Sequence, residues 1–267
     1  LNMLWGKHEI IPLLLEYRGW RKLQSTYTEG FSKILIYGKK YGKVYGEFNQ
    51  MGTDTGRFSS SNPNLQNLPR DSEEIQFRRI FCAPDGYVMV DADYSQLEMR
   101  LLAHYSRDQN LLDGFNAGID AHTSTASVMF DVPYTQVTKK QRQIAKNINF
   151  GLSYGAGIGK LAKMLGTSKE FAREMWELHH SKYQGIVKWK ASVLKQCQQD
   201  MFVRTIIGRK RRLWDIHSQD PEVRGHAERQ AVNAIIQGSA ADIAKEAMHL
   251  LHKKFKNDGL KILSVLH

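Results

Sequence analysis

An aspartate at the end of a short apolar run is the first candidate for chemistry. Asp93 follows YVMV at 87–90, a pattern that predicts a buried strand, and a helical pattern begins at Ser95. A carboxylate where a buried strand meets a helix suits a divalent cation, and phosphoryl transfer depends on such ions. A second interpretation stays open, because Asp93 could cap the helix and Ser95 with Glu98 matches the S-x-x-E capping box.

A stripe of side chains at four-residue spacing is the second candidate. It consists of Arg142, Lys146, Phe150 and Tyr154. Steps of four keep side chains on one helical face, and two cations followed by two aromatics suit a triphosphate and a stacked base or sugar. Thr138 with Gln141 matches a capping box at the start of this helix. The alternative is a solvated basic face with a buried aromatic end. Two glycines beside the aromatics, Gly151 and Gly155, would be unusual in such a helix.

Polar residues in two further segments could contact nucleic acid. A second four-residue series consists of Arg229, Asn233 and Gln237. Their donors suit base edges and phosphates, and an ordinary polar helix face is the alternative. The loop at 53–67 carries Arg57 and several amides that could read the minor-groove edge of a duplex, and an exposed asparagine-rich turn is the alternative.

A lone histidine and a basic run carry weaker signals. His122 in IDAHTST could donate to a phosphate, yet a single histidine is more often structural. The run RKRR at 209–212 could contact a DNA backbone, yet such a run is usually a solvated turn. Neither feature identifies a function by itself.

The composition narrows the classes of function. The 267 residues contain 38 Lys and Arg against 27 Asp and Glu, and the formal net charge of +11 favours a polyanionic partner such as nucleic acid. Cys82 and Cys197 lie far apart, so a disulfide framework or zinc module is not expected and a reducing compartment is favoured. No apolar run approaches the ~20 residues that span a bilayer.

The elements that would position these residues include both helices and strands. Helical patterns cover 9–36, the segment from Ser95, most of 104–200 and about 221–255, with breaks near 131–133, 151–159 and 166–168. Short strands and turns are predicted at 34–58, a polar loop at 59–70, a hairpin at 202–214 and a strand in the final KILSVLH. This order predicts an α+β architecture with a helical subdomain inserted into a sheet domain.

Four segments, taken in order, resemble one protein family. They are DTGRFSSSNPNLQNLP, VDADYSQLEMRLLAH, RQIAKNINFGLSYG and ERQAVNAIIQGSAAD. Together they closely resemble the family A DNA polymerases, the group of bacterial DNA polymerase I and related phage enzymes. The resemblance covers essentially the whole chain and begins with EYRGWRKLQSTYT at 16–27.

The resemblance implies a right-hand polymerase fold, truncated at both ends, in which an antiparallel palm sheet carries an inserted helical fingers subdomain. Residues 1–35 would connect thumb to palm and residues 36–103 would form palm. Residues 104–225 would form the fingers, and residues 226–267 would return to the palm.

The resemblance also implies roles for individual residues. Asp93 would bind two Mg²⁺ ions, for which Mn²⁺ could substitute, and the carbonyl of Tyr94 would add a ligand. Glu98 would be the steric gate that excludes a ribose 2′-hydroxyl, and Lys146 would be a catalytic general acid. Nucleotide contacts are implied for Gln96, Glu98, His122, Arg142, Lys146, Phe150 and Tyr154. DNA contacts are implied for Arg18, Lys22, Arg57, Asn64, Gln66, Asn67, Arg229, Asn233, Gln237 and His267.

The activity implied is template-directed addition of dNTPs to a primer 3′-hydroxyl with release of pyrophosphate. The partners implied are primer–template DNA and dNTPs, for a monomer in the cytoplasm of a bacterium or a phage-infected host. A single-subunit RNA polymerase is one alternative, against which Glu98 and Phe150-Gly151 argue. A non-catalytic DNA-binding protein derived from a polymerase is the other.

One departure from the family pattern concerns the third motif, His-Asp-Glu. His267 aligns with its histidine, preceded by leucine where valine is usual, so the second metal-binding aspartate is expected at the next position. Both ends of the sequence look cut. Because the chain as given carries only one of the two metal-binding aspartates that the resemblance implies, the fragment is expected to bind primer–template weakly and not to extend it.

Overall fold

The structure is a computed structural model that describes residues 8–31, 44–69 and 76–257. The chain forms two compact units. Among the described residues, the first unit comprises 8–31, 44–53, 58–69 and 76–91, and the second comprises 54–57 and 92–257.

The first unit contains an aromatic cluster beside a helix. Helix α1 spans Ile10–Lys22, and a π-helical segment extends it over Leu23–Glu29. Tyr27 of this segment and Phe31, two residues beyond it, are buried, and their rings each meet the Phe77 ring edge to face, at 5.4 and 5.2 Å. This geometry is favoured by the ring quadrupoles. The helix predicted at 9–36 is thus confirmed to residue 31, and the remainder lies outside the described residues.

A short hairpin and a 3₁₀ turn carry the polar loop of the first unit. Strand β1, Glu47–Asn49, pairs antiparallel with strand β2, Ser59–Ser61. The Asn64 side chain then accepts the Gln66 backbone N–H at 3.0 Å and caps the turn Leu65–Asn67. The predicted polar loop therefore begins with a strand and includes an ordered turn.

The second unit is mainly helical. Its helices are α2 Leu97–Ser106, α3 Gln109–Asn116, α4 Ala121–Met129, α5 Lys139–Ser153, α6 Ile158–Leu165, α7 Lys169–Lys182, α8 Gln184–Asp200 and α9 Pro221–Asn257. Between α8 and α9, strand β3, Phe202–Arg204, pairs antiparallel with β4, Lys210–Arg212. The predicted hairpin, the long last helix, the three predicted helix breaks and the α+β class are confirmed.

Polar side chains fix where four of these helices begin. Asp108, Asp120, Thr138 and Ser168 each accept a backbone N–H from the first turn of α3, α4, α5 and α7. Such a cap satisfies a donor that has no partner within the helix. Thr138 and Gln141 form the complete capping box that the sequence predicts.

Helix α5 is held by one apolar cluster and by a half-buried lysine. Ile148 and Leu152 on its inner face are buried in a cluster with α6 and α7. The half-buried Lys190 of α8 donates to the Leu152 carbonyl near the end of the helix. These contacts orient the opposite face of α5, which carries the predicted stripe.

Around Asp93, the predicted strand is wrong, and the alternative interpretation as a capping box is not observed. Residues 87–90 form no strand, and Val88 and Val90 are each 84% exposed. A strand requires a backbone partner, and no described segment pairs with this one. The Ser95–Glu98 capping box is also absent, because Gln96, at φ 54°, precedes α2 without a side-chain cap.

Candidate active site

The stripe on α5 forms the centre of the candidate site. Lys146 Nζ lies 5.9 Å from the centre of the Phe150 ring, and that ring stacks on Tyr154 at 6.2 Å with an interplanar angle of 24°. Tyr154 is the C-cap of the helix. The four-residue spacing therefore brings cation and aromatics together on one face, as predicted.

Arg142 begins this face and is held by an aspartate of a neighbouring helix terminus. Its Nε and Nη2 donate to the two carboxylate oxygens of Asp120 at 2.9 and 2.8 Å. Burial raises the pKa of Asp120, but the hydrogen bonds from Arg142 and Thr123 outweigh it and hold the pKa at about 2. Arg142 thus faces the site as an oriented guanidinium whose charge is already paired.

The aromatic end of the stripe is tied to α2. The Tyr154 hydroxyl donates to the Glu98 carboxylate, and Arg57 Nη2 lies 3.5 Å from the other Glu98 oxygen. Gln237 also bonds to Tyr154, and burial raises the pKa of the phenol above its usual range, with Glu98 adding to the shift. Because the phenol stays protonated, it donates and Glu98 accepts.

His122 lies beneath Phe150 and is almost completely buried. Its ring centre is 5.6 Å from that of Phe150, and its side chain is 3% exposed. Burial lowers its pKa to about 4, against a rise caused by Asp120, so the imidazole is neutral at pH 7. Asn149 Nδ2 lies 3.1 Å from its Nδ1.

Gln96 connects the start of α2 to the start of α4. Its side-chain oxygen accepts the Ala121 backbone N–H at 3.2 Å. Gln96, for which a nucleotide contact is predicted, therefore anchors the start of the helix that Asp120 caps and that carries His122.

Asp93 is more exposed to solvent than the residues of the α5 stripe. Asp93 and Tyr94 are exposed and precede α2. Asp93 enters no ion pair in the part of the chain that the structure describes. The described residues contain no group of three or more His, Cys, Asp or Glu side chains able to hold a metal. The oxygen donors present, one carboxylate and one carbonyl, suit Mg²⁺, which usually binds one or two carboxylates together with substrate phosphates and waters.

The predicted DNA-contact series on α9 borders the end of α5. The Arg229 stem packs so close to Gly155 that a Cβ there would lie 2.9 Å from Arg229 Cγ. Asn233 has a buried Oδ1 without a partner among the described residues, and Gln237 bonds to Tyr154. These three residues thus share one helix face next to the aromatic pair.

The predicted DNA contacts of the first unit lie in two places. Arg18 and Lys22 are exposed on α1. Asn64 and Gln66 belong to the capped turn, and the Asn67 carbonyl accepts the Tyr27 hydroxyl. His267 lies outside the described residues.

The basic run at 209–212 is partly structural. Arg209 donates to Asp242 at 3.0 Å and to the carbonyls of Thr55 and Gly238 at 2.8 and 3.1 Å. Arg211 makes a bidentate pair with Asp54, at 3.2 and 2.8 Å. The run therefore ties residues 54–57 to the hairpin and α9, which a solvated turn would not do.

Asp120 and Asn149 are two residues of the site that the sequence patterns did not single out. Asp120 precedes Thr123 in the D-x-x-T spacing of an N-cap, so its capping role was readable. Its pairing with Arg142, and the contact of Asn149 with His122, depend on how α4 packs against α5.

Within the described part of the chain, no helix is both long and apolar enough to cross a membrane.

Comparison with known proteins identifies the family. The sequence profile of DNA polymerase family A matches residues 1–267. DNA polymerase I of Caldicellulosiruptor bescii is 40% identical over 267 residues, which are 100% of this chain and 31% of that protein. The thermostable DNA polymerase I of Thermus aquaticus is 38% identical over 268 residues, covering 100% of this chain and 32% of that protein.

A solved structure agrees with the sequence matches. The POL domain of Pol1 from M. smegmatis, in complex with DNA primer-template and dNTP, superimposes with a TM-score of 0.86 at 38% identity. The match covers 96% of this chain and 45% of that one. The chain therefore belongs to DNA polymerase family A. It spans about a third of the length of the curated relatives described above.

Proposed function

We propose that this chain is the palm and fingers part of a template-directed DNA polymerase that adds dNTPs to a primer 3′-hydroxyl. The observation that carries the proposal is the contact between the α5 stripe and α2, in which Tyr154 donates to Glu98. It brings the paired Arg142, Lys146, a stacked aromatic pair and a carboxylate to one surface, and family membership over the whole chain supports it.

Each side chain of this surface has a task in the proposed reaction. Arg142 and Lys146 would hold the triphosphate, and Lys146 would also donate a proton to the leaving pyrophosphate. Phe150 would pack against the sugar. Tyr154, which is stacked on Phe150 and bonded to Glu98, would stack at the templating position.

Glu98 would lie where a 2′-hydroxyl of an incoming ribonucleotide would fall. Its two partners, Tyr154 and Arg57, fix the carboxylate in place. A fixed side chain excludes an added hydroxyl sterically, whereas a mobile one would yield to it.

Asp93 and the Tyr94 carbonyl would hold Mg²⁺ together with the substrate phosphates. When bound, two such ions would supply Lewis-acid activation of the 3′-hydroxyl and charge stabilisation at the pyrophosphate oxygens. The chain up to His267 supplies one carboxylate of the expected pair, so we expect residues 1–267 alone to bind primer–template without extending it.

Primer extension by the full-length protein tests this function. We expect extension with dNTPs, little with rNTPs, and loss of discrimination on the order of 10- to 200-fold in Glu98→Ala. Glu174→Ala, which removes an exposed glutamate of α7, serves as the matched control and should keep the wild-type preference.

Equal use of rNTPs and dNTPs by the wild-type protein would favour the RNA polymerase alternative. Absence of any magnesium-dependent extension by the full-length protein would favour the non-catalytic one.

A further inference from the structure

A buried polar network lies behind the nucleotide-facing side of α5. It links His122 and Thr125 of α4, Asn149 of α5 and Tyr183 at the α7–α8 junction. Asn149 is fully buried and Thr125 is 1% exposed. Polar groups this deeply buried require defined partners, so the direction of each hydrogen bond matters.

The Thr125 hydroxyl sets the direction of the network. It lies 2.9 Å from the Ala121 carbonyl, which can only accept, and 3.2 Å from Asn149 Oδ1. Donation to the carbonyl at the shorter distance leaves Thr125 as an acceptor. Tyr183, 2.7 Å away, then donates to it, in keeping with the pKa of about 12 to which burial raises this phenol.

The orientation of the Asn149 amide follows from this. Its Nδ2 lies 3.0 Å from Thr125 Oγ1 and 3.1 Å from His122 Nδ1. The two amide hydrogens therefore serve these two acceptors. Nδ1 of His122 must then be the unprotonated nitrogen of the ring.

A neutral imidazole has one N–H, and its position decides whether the ring can donate to a ligand. Burial keeps His122 neutral, so the hydrogen resides on Nε2 when Nδ1 accepts. Nε2 has no partner among the described residues, yet it is not one of the enclosed polar atoms that lack one. The remaining donor of the ring therefore faces outward.

We propose that Asn149 is a positioning residue that holds neutral His122 in the Nε2–H tautomer, so that its single donor is presented to the triphosphate of a nucleotide. This role rests on the proposed polymerase function for the identity of the ligand. The tautomer itself depends only on the network. Without Asn149, the ring would be free to place its hydrogen on Nδ1, and Nε2 would repel a phosphate oxygen.

The hydrogen position can be measured without any nucleotide, by NMR of the full chain labelled with ¹⁵N in histidine. We expect the wild-type signal of His122, assigned by its loss in His122→Gln, to show the hydrogen on Nε2. In Asn149→Asp a carboxylate replaces the donor, so the hydrogen should move onto Nδ1. A wild-type ring protonated on Nδ1 overturns the proposal, whether or not Asn149→Asp folds.

Nucleotide binding by the full-length protein on primer–template tests the consequence. Asn149→Asp should weaken dNTP binding by on the order of tenfold or more, the cost of losing one donor to a charged group. Asn147→Asp adds the same charge two residues away on α5, at a partly exposed position, and should change binding by less than about twofold.

The two residues should act as one unit. In a His122→Gln background, Asn149→Asp should have little further effect, because no tautomer remains to be set. Equal weakening in both backgrounds overturns the positioning role. A wild-type protein that binds no dNTP refutes the polymerase function itself, whereas dNTP binding insensitive to Asn149→Asp refutes the positioning role alone.

Discussion

Asp120 performs two structural tasks at the residue scale. Its Oδ2 accepts the Thr123 backbone N–H at 2.8 Å and so caps α4, and both oxygens accept from Arg142. These bonds hold its pKa at about 2, below the ordinary 3.8. A carboxyl with a depressed pKa stabilises the fold above its unfolded pKa, and this contribution is lost as the pH falls toward the folded value.

We expect Asp120→Asn to lower the free energy of unfolding by about 1 kcal/mol at pH 7. Asparagine keeps the N-cap, so the change removes mainly the ion pair, whose value is limited because the Arg142 and Asp120 side chains are 44% and 22% exposed. The difference from the wild type should shrink as the pH falls from about 4 toward 2. Urea unfolding at pH 7 and at pH 3 measures it.

Asp215→Asn provides the control, since Asp215 is exposed and enters no ion pair among the described residues. It should leave stability nearly unchanged at both pH values. If Asp120→Asn were equally destabilising at pH 7 and pH 3, the ion pair would not be the cause.

The site was predictable from sequence where its residues share one helix. Four-residue spacing predicted the Arg142–Tyr154 face, and the structure has it on α5. The Asp120–Arg142 pair joins residues 22 positions apart on separate elements, and no periodicity connects them. The burial of His122 likewise follows from packing of α4 on α5, and no periodicity in the sequence predicts it.

The junction between α5 and α6 shows, at the scale of elements, why glycine is required beside the aromatic pair. Gly155 has φ +75°, in the left-handed region that side chains rarely adopt. A Cβ at Gly155 would also lie 2.9 Å from Arg229 Cγ, and one at Gly151 would lie 3.2 Å from Met164. The turn that places Tyr154 against Glu98 therefore depends on both conformation and space.

We expect Gly155→Ala to lower the free energy of unfolding by about 2 kcal/mol or more. About 1 kcal/mol comes from the left-handed backbone, and displacement of the Arg229 stem adds the rest. Gly118→Ala is the matched control, because Gly118 has φ +70° and an added Cβ would meet nothing within 4 Å. Urea unfolding of both variants separates the backbone contribution from the contribution of the displaced Arg229 stem. Equal decreases in the free energy of unfolding would show that Arg229 contributes nothing.

Elements were predictable where local signals specify them. The capping residues Thr138 and Ser168 and the left-handed Gly166 mark helix ends in the sequence itself. The segment 87–90 has strand composition, but strand formation depends on a partner elsewhere in the chain, and none of the described strands pairs with it. The π-helical Leu23–Glu29 has no sequence signature distinct from an α-helix.

The excess positive charge of the whole molecule is only partly available to a ligand. The chain carries a formal charge of +11, yet several guanidinium groups are paired with carboxylates inside the second unit: Arg57, Arg142, Arg209 and Arg211. In the first unit, Arg18 and Lys22 are exposed on α1, four residues apart and so on one face. Such a pair suits contact with successive phosphates of a duplex backbone.

Primer–template affinity of the full-length protein should fall steeply with salt, because each phosphate contact releases counterions. Replacing Arg18 and Lys22 by glutamine should weaken binding to all sequences alike and reduce the slope of log K against log salt by about 2, near 0.9 per contact. The matched control replaces Lys169 and Arg173, which are also exposed and four residues apart, on α7. Fluorescence anisotropy between about 50 and 200 mM salt gives both slopes. Equal slopes for the two double variants would mean that the α1 face does not contact the DNA backbone.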